Sequence, residues 1–272
     1  MGAREGRYGI FAPVSSDQGA PSSRESADRE HFDRIAASYT RKDESRSSRV
    51  ARRHRLVATL DAIDAPPLPN VLEVGCGAGY AVEYTPFEFG RYVGIDHSQE
   101  LVSVAADRHG KPGVEFHAGR VQDLAEPGSF DVVFVIGVLH HLEDVGTALE
   151  RMVAALRPGG WLVVNEPQPG NPVVSAARRV RKRVDKTYSA DQVEFRSNEL
   201  VSMFQAAGLD AVDVRPQGYL STPFAEVPLP LGAVTSLVAR AAVRSDRAIE
   251  RRRLAARLAW NCIARGRRPM SP

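Results

Sequence analysis

The chain has 272 residues, enough to bury a full core as one large domain or as one domain with a subdomain. A hydrophobic share of 43% and a charged share of 25% are those of an ordinary soluble globule, and no uninterrupted apolar run reaches the roughly 20 residues of a membrane span. The formal charge is +3 and only four of the 36 basic residues are lysine; with acids nearly balancing bases, the arginine bias reads as compositional rather than as a nucleic-acid signature.

Residues 1–26 are rich in Gly, Ser and Pro without periodicity, which predicts a disordered tail. A helix is expected from about Asp28, where Phe32, Ile35, Ala36 and Tyr39 fall at helical spacing. A second, basic helix is expected over about 45–63, stopped by Ala65-Pro-Pro-Leu-Pro69. Strands then fit 70–74, 92–96, 114–117, 130–136 and 161–165, and helices fit 79–88, 98–109 and 145–156. This alternation predicts an α/β, Rossmann-like, mostly parallel sheet with helices on both faces. Farther on, a basic helix is expected over 172–185, an amphipathic one over 197–207, a strand over 209–215, a largely helical stretch over 223–253 and a last strand over 259–264. Seven strands result, with N-terminal lid helices (27–65), a helical insertion after strand five, and segments 168–195 and 217–253 as candidate substrate cover.

The sharpest local signal is the turn Glu73-Val-Gly-Cys-Gly-Ala-Gly79, which joins the first strand to the following segment. Glycines there permit positive φ and let the backbone approach a ligand, at the sheet edge where open parallel sheets bind ligands. Asp96 ends the next strand, placed to accept hydrogen bonds from a ribose. The dinucleotide pattern G-x-G-x-x-G does not fit: Tyr80 occupies its last position when read from Gly75, and Val82 when read from Gly77.

Glu73 with the glycines, followed by Ser129-Phe-Asp-Val-Val-Phe134, Val138-Leu-His-His-Leu-Glu-Asp144 and Ala155-Leu-Arg-Pro-Gly-Gly-Trp-Leu162, resembles class I S-adenosylmethionine-dependent methyltransferases. The small-molecule, type 11-like group is the nearest likeness, similar to sugar and natural-product O-methyltransferases. Phe32-Asp-Arg-Ile-Ala-Ala-Ser-Tyr39 is similar to their N-terminal lid helix. The resemblance covers about residues 32–166. It implies S-adenosyl-L-methionine as cofactor, held by Glu73, Gly75, Cys76, Gly77, Gly79, Asp96 and its neighbour His97. Tyr39 would close the lid and Gly137 would expose backbone carbonyls near the amino end. The family's acid for adenine is replaced here by Arg120, within Gly119-Arg-Val-Gln-Asp-Leu124, so Val121, Gln122 or Asp123 would read the adenine edge.

Methyl transfer is an in-line displacement that needs alignment and, for a hydroxyl nucleophile, a base. By resemblance, one of His140 and His141, with His141 preferred, is the candidate base, assisted by Glu166 beyond strand five; loop capping is the competing role. No metal is expected, since no Cys/His spacing or paired acids stand out. Basic stretches 41–55, 178–186 and 244–268 read as solvated helix faces or as a polyanion surface, without the aromatic interleaving of an RNA-binding motif. The expectation is methylation of a small-molecule acceptor in secondary metabolism, with nucleic acid disfavoured as a partner and a homo-oligomer compatible. An RNA or other polyanion methyltransferase, and a cofactor-binding protein or cyclase that transfers no methyl group, are the alternatives. Two cysteines, Cys76 and Cys262, without partner spacing, and no basic-then-apolar leader pattern lead to a cytoplasmic location as the expectation.

Overall fold

The computed structural model describes residues 10–11, 23–61, 63–169, 171, 194–226, 232–251 and 256–270. Seven strands form one sheet in the order β3-β2-β1-β4-β5-β7-β6: β1 Asn70–Val74, β2 Arg91–Asp96, β3 Val114–Ala118, β4 Phe130–Ile136, β5 Leu156–Pro167, β6 Asp210–Gln217 and β7 Asn261–Arg267. The first five run parallel, and β7 is antiparallel to both β5 and β6. The order reverses between β1 and β4, so the carboxyl ends of these strands open a crevice at that point.

The strands are apolar almost throughout because both faces are covered, and successive residues serve opposite cores. Leu72, Val74, Val93, Ile95, Val133 and Val135 join one cluster, with Leu149 and Met152 of α4 (Val145–Ala155) and Leu200 and Phe204 of α5 (Ser197–Ala206). Val71, Tyr92, Val132 and Phe134 join the other, closed by Leu56 and Leu60 of α2 (Arg46–Leu60). Ser45 caps α2, its Oγ accepting from Ser48 N at 3.2 Å. Helix α1 (Ser23–Glu44) packs against α3 (Gln99–His109), while α2 packs against α6 (Thr222–Glu226) and α7 (Gly232–Arg251).

Three expectations are corrected. The helix expected over 79–88 is a single 3-10 turn, Tyr80–Glu83; Pro86 disfavours α geometry at Thr85 and cannot donate into a helix. The tail expected to be disordered over 1–26 contributes Ile10 to the core and pairs Phe11 with Leu124, and α1 begins at Ser23, ahead of Asp28. The last strand runs to Arg267 because Arg265 and Arg267 stack on Trp161 of β5. The basic helix expected over 172–185, with most of the cover segment 168–195, lies outside the described residues. The described residues of the second cover segment, 217–253, comprise the end of β6, a loop, α6 and α7.

Candidate active site

The turn after β1 is organised by β2. Ile95 O accepts from the N–H of both Gly75 and Cys76, at 2.7 and 3.0 Å, and Asp96 Oδ2 accepts from Gly77 N at 2.8 Å. Asp96 Oδ1 accepts from Ser98 N at 2.9 Å, so the carboxylate fastens two loops and keeps lone pairs for a ligand. Gly75 has φ +77°, and a Cβ there would stand 2.1 Å from Val138 Cγ2: this approach admits only glycine. Gly79 N closes the turn on Cys76 O at 2.9 Å, and the Cys76 thiol is buried inside it, which pushes its pKa up.

Glu73 is buried one strand layer below. Its Oε2 accepts from the Tyr92 hydroxyl at 2.5 Å. Burial, reinforced by the Asp96 charge and only partly offset by that hydrogen bond, pushes the Glu73 carboxyl up to about 8.

Helix α1 lies across the crevice. Tyr39 Cε1 comes to 3.6 Å from where a Cβ on Gly77 would stand. Phe32 packs edge-on against Tyr39 and His141, at centroid distances of 6.0 and 5.6 Å, and tilted against His97 at 5.7 Å. Asp33 accepts from Ser98 Oγ at 2.6 Å, and Asp28 Oδ2 lies 3.4 Å from His141 Nδ1 and 3.9 Å from His97 Nε2. Burial pushes the Asp28 carboxyl up, but the polar contact with His141 and the surrounding imidazoles outweigh it and hold it below its usual value.

On the adenine side of the expected site, Val121 and Gln122 are buried. Gln122 Nε2 donates to Glu25 Oε1 of α1 at 3.1 Å, and Arg120 lies 3.6 Å from Asp123 and 3.9 Å from Glu25. The arginine that replaces the family's acid therefore faces an acid of the lid helix. Glu25, Asp28 and Asp33 were missed from sequence, although Glu25 and Asp28 precede Phe32 and Tyr39 at helical spacing on the same face.

The β4 and β5 ends meet at Glu166, which has no exposed surface. Its Oε1 accepts from the N–H of Val138 and Leu139, both at 2.8 Å, and its Oε2 lies 2.6 Å from His140 Nδ1. Burial pushes this carboxyl up, but the His140 charge and the three hydrogen bonds win and hold it below its usual value. An ionised Glu166 can only accept, so His140 Nδ1 donates to it and Nε2 is left as the ring nitrogen not engaged by this carboxylate. His140 and His141 are themselves in ring contact, with centroids 4.2 Å apart. Gly137, at φ +69°, sits beside His140, with the Arg55 guanidinium at 2.8 Å from its Cβ position.

The arginines of α2 are not simply a solvated face. Arg49 pairs with Glu83 at 3.0 Å and with the Tyr84 hydroxyl, and Arg52 lies over the Tyr39 ring at 5.5 Å. Arg178–Lys186 lies outside the described residues. Among the described residues, no helix is long and apolar enough to cross a membrane.

Residues 72–164 match the family model described as "Methyltransferase domain". A probable S-adenosylmethionine-dependent methyltransferase of Mycolicibacterium smegmatis is 29% identical over 157 residues, 55% of this chain and 60% of that protein. The ubiquinone biosynthesis O-methyltransferase of Bordetella bronchiseptica is 29% identical over 160 residues, 55% of this chain and 66% of that protein. The chain thus spans less than two thirds of the length of these relatives. Among solved structures, the [4+2]-cyclase SpnF superposes with TM-score 0.61 at 18% identity, over 93% of this chain and 98% of that one, a likeness of fold. Strand order, glycine turn and family match together place a class I, S-adenosylmethionine-dependent methyltransferase domain at the centre of this chain.

Proposed function

We propose that the chain transfers a methyl group from S-adenosylmethionine to a small-molecule acceptor, at a hydroxyl oxygen of a natural product or sugar-bearing metabolite. The observation that carries the chemistry is the 2.6 Å contact between His140 and the buried, ionised Glu166 at the carboxyl edge of β4 and β5. When bound, the cofactor supplies an electrophilic methyl group on a sulfonium. The residues present fit it: the turn around Gly77 leaves room for backbone approach, and Asp96 retains acceptor lone pairs for the ribose. Val121, Gln122 and Asp123 line the adenine side, Gly137 the amino end, and Glu73 supports the turn from beneath.

His140, oriented by Glu166, takes the acceptor's proton at Nε2 as the oxygen attacks. This moves the preference expressed from sequence: His141, held against Asp28, serves to join the histidine loop to α1. Phe32 and Tyr39 on that helix exclude water from the crevice. A soluble setting in natural-product metabolism belongs to the same proposal. Incubating the protein with methyl-labelled cofactor and candidate acceptors tests the activity. His140→Ala is expected to lose turnover at saturating cofactor while His141→Ala retains a neutral-pH profile; the opposite order would remove the assignment. The fold likeness to a cyclase supports a second reading, in which cofactor binds and no label moves.

A further inference from the structure

Away from the crevice, His54 of α2 meets Asp246 and Glu250 of α7. One ligand atom from each, a ring nitrogen and two carboxylate oxygens, lies within 4.8 Å of the others. His54 and Asp246 are 3% and 0% exposed, and the Glu250 side chain is 15% exposed. Asp246 and Glu250 are four apart on the helix and share the face turned to α2. His54 Nε2 is 3.3 Å from Glu250 Oε2, within ion-pairing distance, yet this buried nitrogen makes no hydrogen bond.

The remaining carboxylate capacity is already organised. Glu250 Oε1 accepts from Gly218 N at 2.8 Å. Asp246 Oδ1 accepts from Leu220 N at 2.8 Å, and Oδ2 accepts from Tyr219 N, Ser221 N and Ser221 Oγ. Backbone donors thus hold both acids from behind, as the outer shell of a metal site does. Glu250 Oε2 is the oxygen that faces His54 Nε2, and a carboxylate oxygen of Asp246 lies within 4.8 Å of both. A dication bound by an imidazole nitrogen and two carboxylates would have its charge matched by the two acids in a place shielded from water. The 3.3 Å separation is close to the edge of a tetrahedron with bonds of about 2.0 Å, the range of zinc–nitrogen and zinc–oxygen bonds.

We propose that His54, Asp246 and Glu250 bind a divalent transition-metal ion, with the remaining coordination completed by water. One nitrogen and two oxygens suit zinc or its first-row neighbours better than calcium or magnesium, which favour all-oxygen shells. The ion clamps α7 and the loop 217–221 onto α2, and so holds the cover segment in place. No sequence spacing announces the site, because His54 is remote in the chain from the other two.

Chelator-treated full-length protein is titrated with zinc chloride by calorimetry and with cobalt(II) chloride by visible absorption, and its melting is recorded with and without zinc. The expected result is one zinc per chain, melting shifted upward, and the absorption bands of four- or five-coordinate cobalt. His54→Gln and Glu250→Gln, checked for folding by circular dichroism, are expected to weaken binding by more than the roughly 10–100-fold cost of losing an outer-shell partner. Wild-type melting unchanged by zinc together with a featureless cobalt spectrum overturns the proposal, and is what an imidazolium paired with Glu250 would give. Stoichiometric binding retained by both variants overturns it equally. Neither readout depends on methyl transfer, so this site and the proposed activity stand or fall separately.

Discussion

Glu73→Gln isolates the energetic cost of burying an acid beneath the glycine turn. The folded protein holds the Glu73 proton more tightly than the unfolded chain does, since its carboxyl rises from the ordinary 4.5 to about 8. Between these values the unfolded chain releases the proton first, so stability falls as pH rises from about 4.5 to about 8 and is level beyond. At 1.36 kcal/mol per pH unit the full span is about 5 kcal/mol, an upper bound for one group. Glutamine matches the protonated acid in shape, keeps an oxygen to accept from the Tyr92 hydroxyl, and cannot ionise. Urea denaturation of both proteins from pH 5 to pH 9 is the assay. The two stabilities should be similar near pH 5, and the variant should gain on wild type by several kcal/mol toward pH 9. Parallel profiles across that range would refute the reasoning, because a carboxyl that ionises at no cost is not buried as described.

Asp96→Ala strands the N–H groups of Gly77 and Ser98 and removes the proposed ribose acceptor. Cofactor affinity by calorimetry should fall about 10²-fold or more, at roughly 1.5–3 kcal/mol per charge-assisted hydrogen bond. Gly75→Ala forces a non-glycine residue to positive φ and a methyl group into Val138, so its midpoint in denaturant should correspond to a loss of more than about 2 kcal/mol. Glu166→Ala leaves His140 and two backbone N–H groups without their acceptor in a buried place; a loss of about 3–5 kcal/mol is expected from the same measurement. Asp28 and Glu166 are both held below their ordinary values of 3.8 and 4.5. Their contributions are present above those values and are lost as pH falls beneath them; an acid titration followed by circular dichroism should therefore show a transition that Glu166→Gln shifts.

The order of strands and helices from 70 to 165 was legible because each element carries its own periodicity and the turns between them their own chemistry. The glycine turn was legible because residues 75–79 act through their backbone, and a backbone requirement is written locally as glycine. The helix expected over 79–88 is cut short by a local competitor, Pro86, which overrides the apolar pattern around it. Ile10 and Phe11 carry no period and find their places on the 119–125 loop, which supplies a surface for them.

By itself, then, the sequence determined the sheet, the turn and the class of cofactor. Tertiary structure decided which side chains act together. Arg120 faces Glu25 across the lid, and His141 answers to Asp28. Glu166 selects His140, and His54 meets Asp246 and Glu250 from a different helix. Such pairings depend on burial and on the reach between elements distant in the chain, and neither quantity is expressed in the residues on either side of the groups concerned.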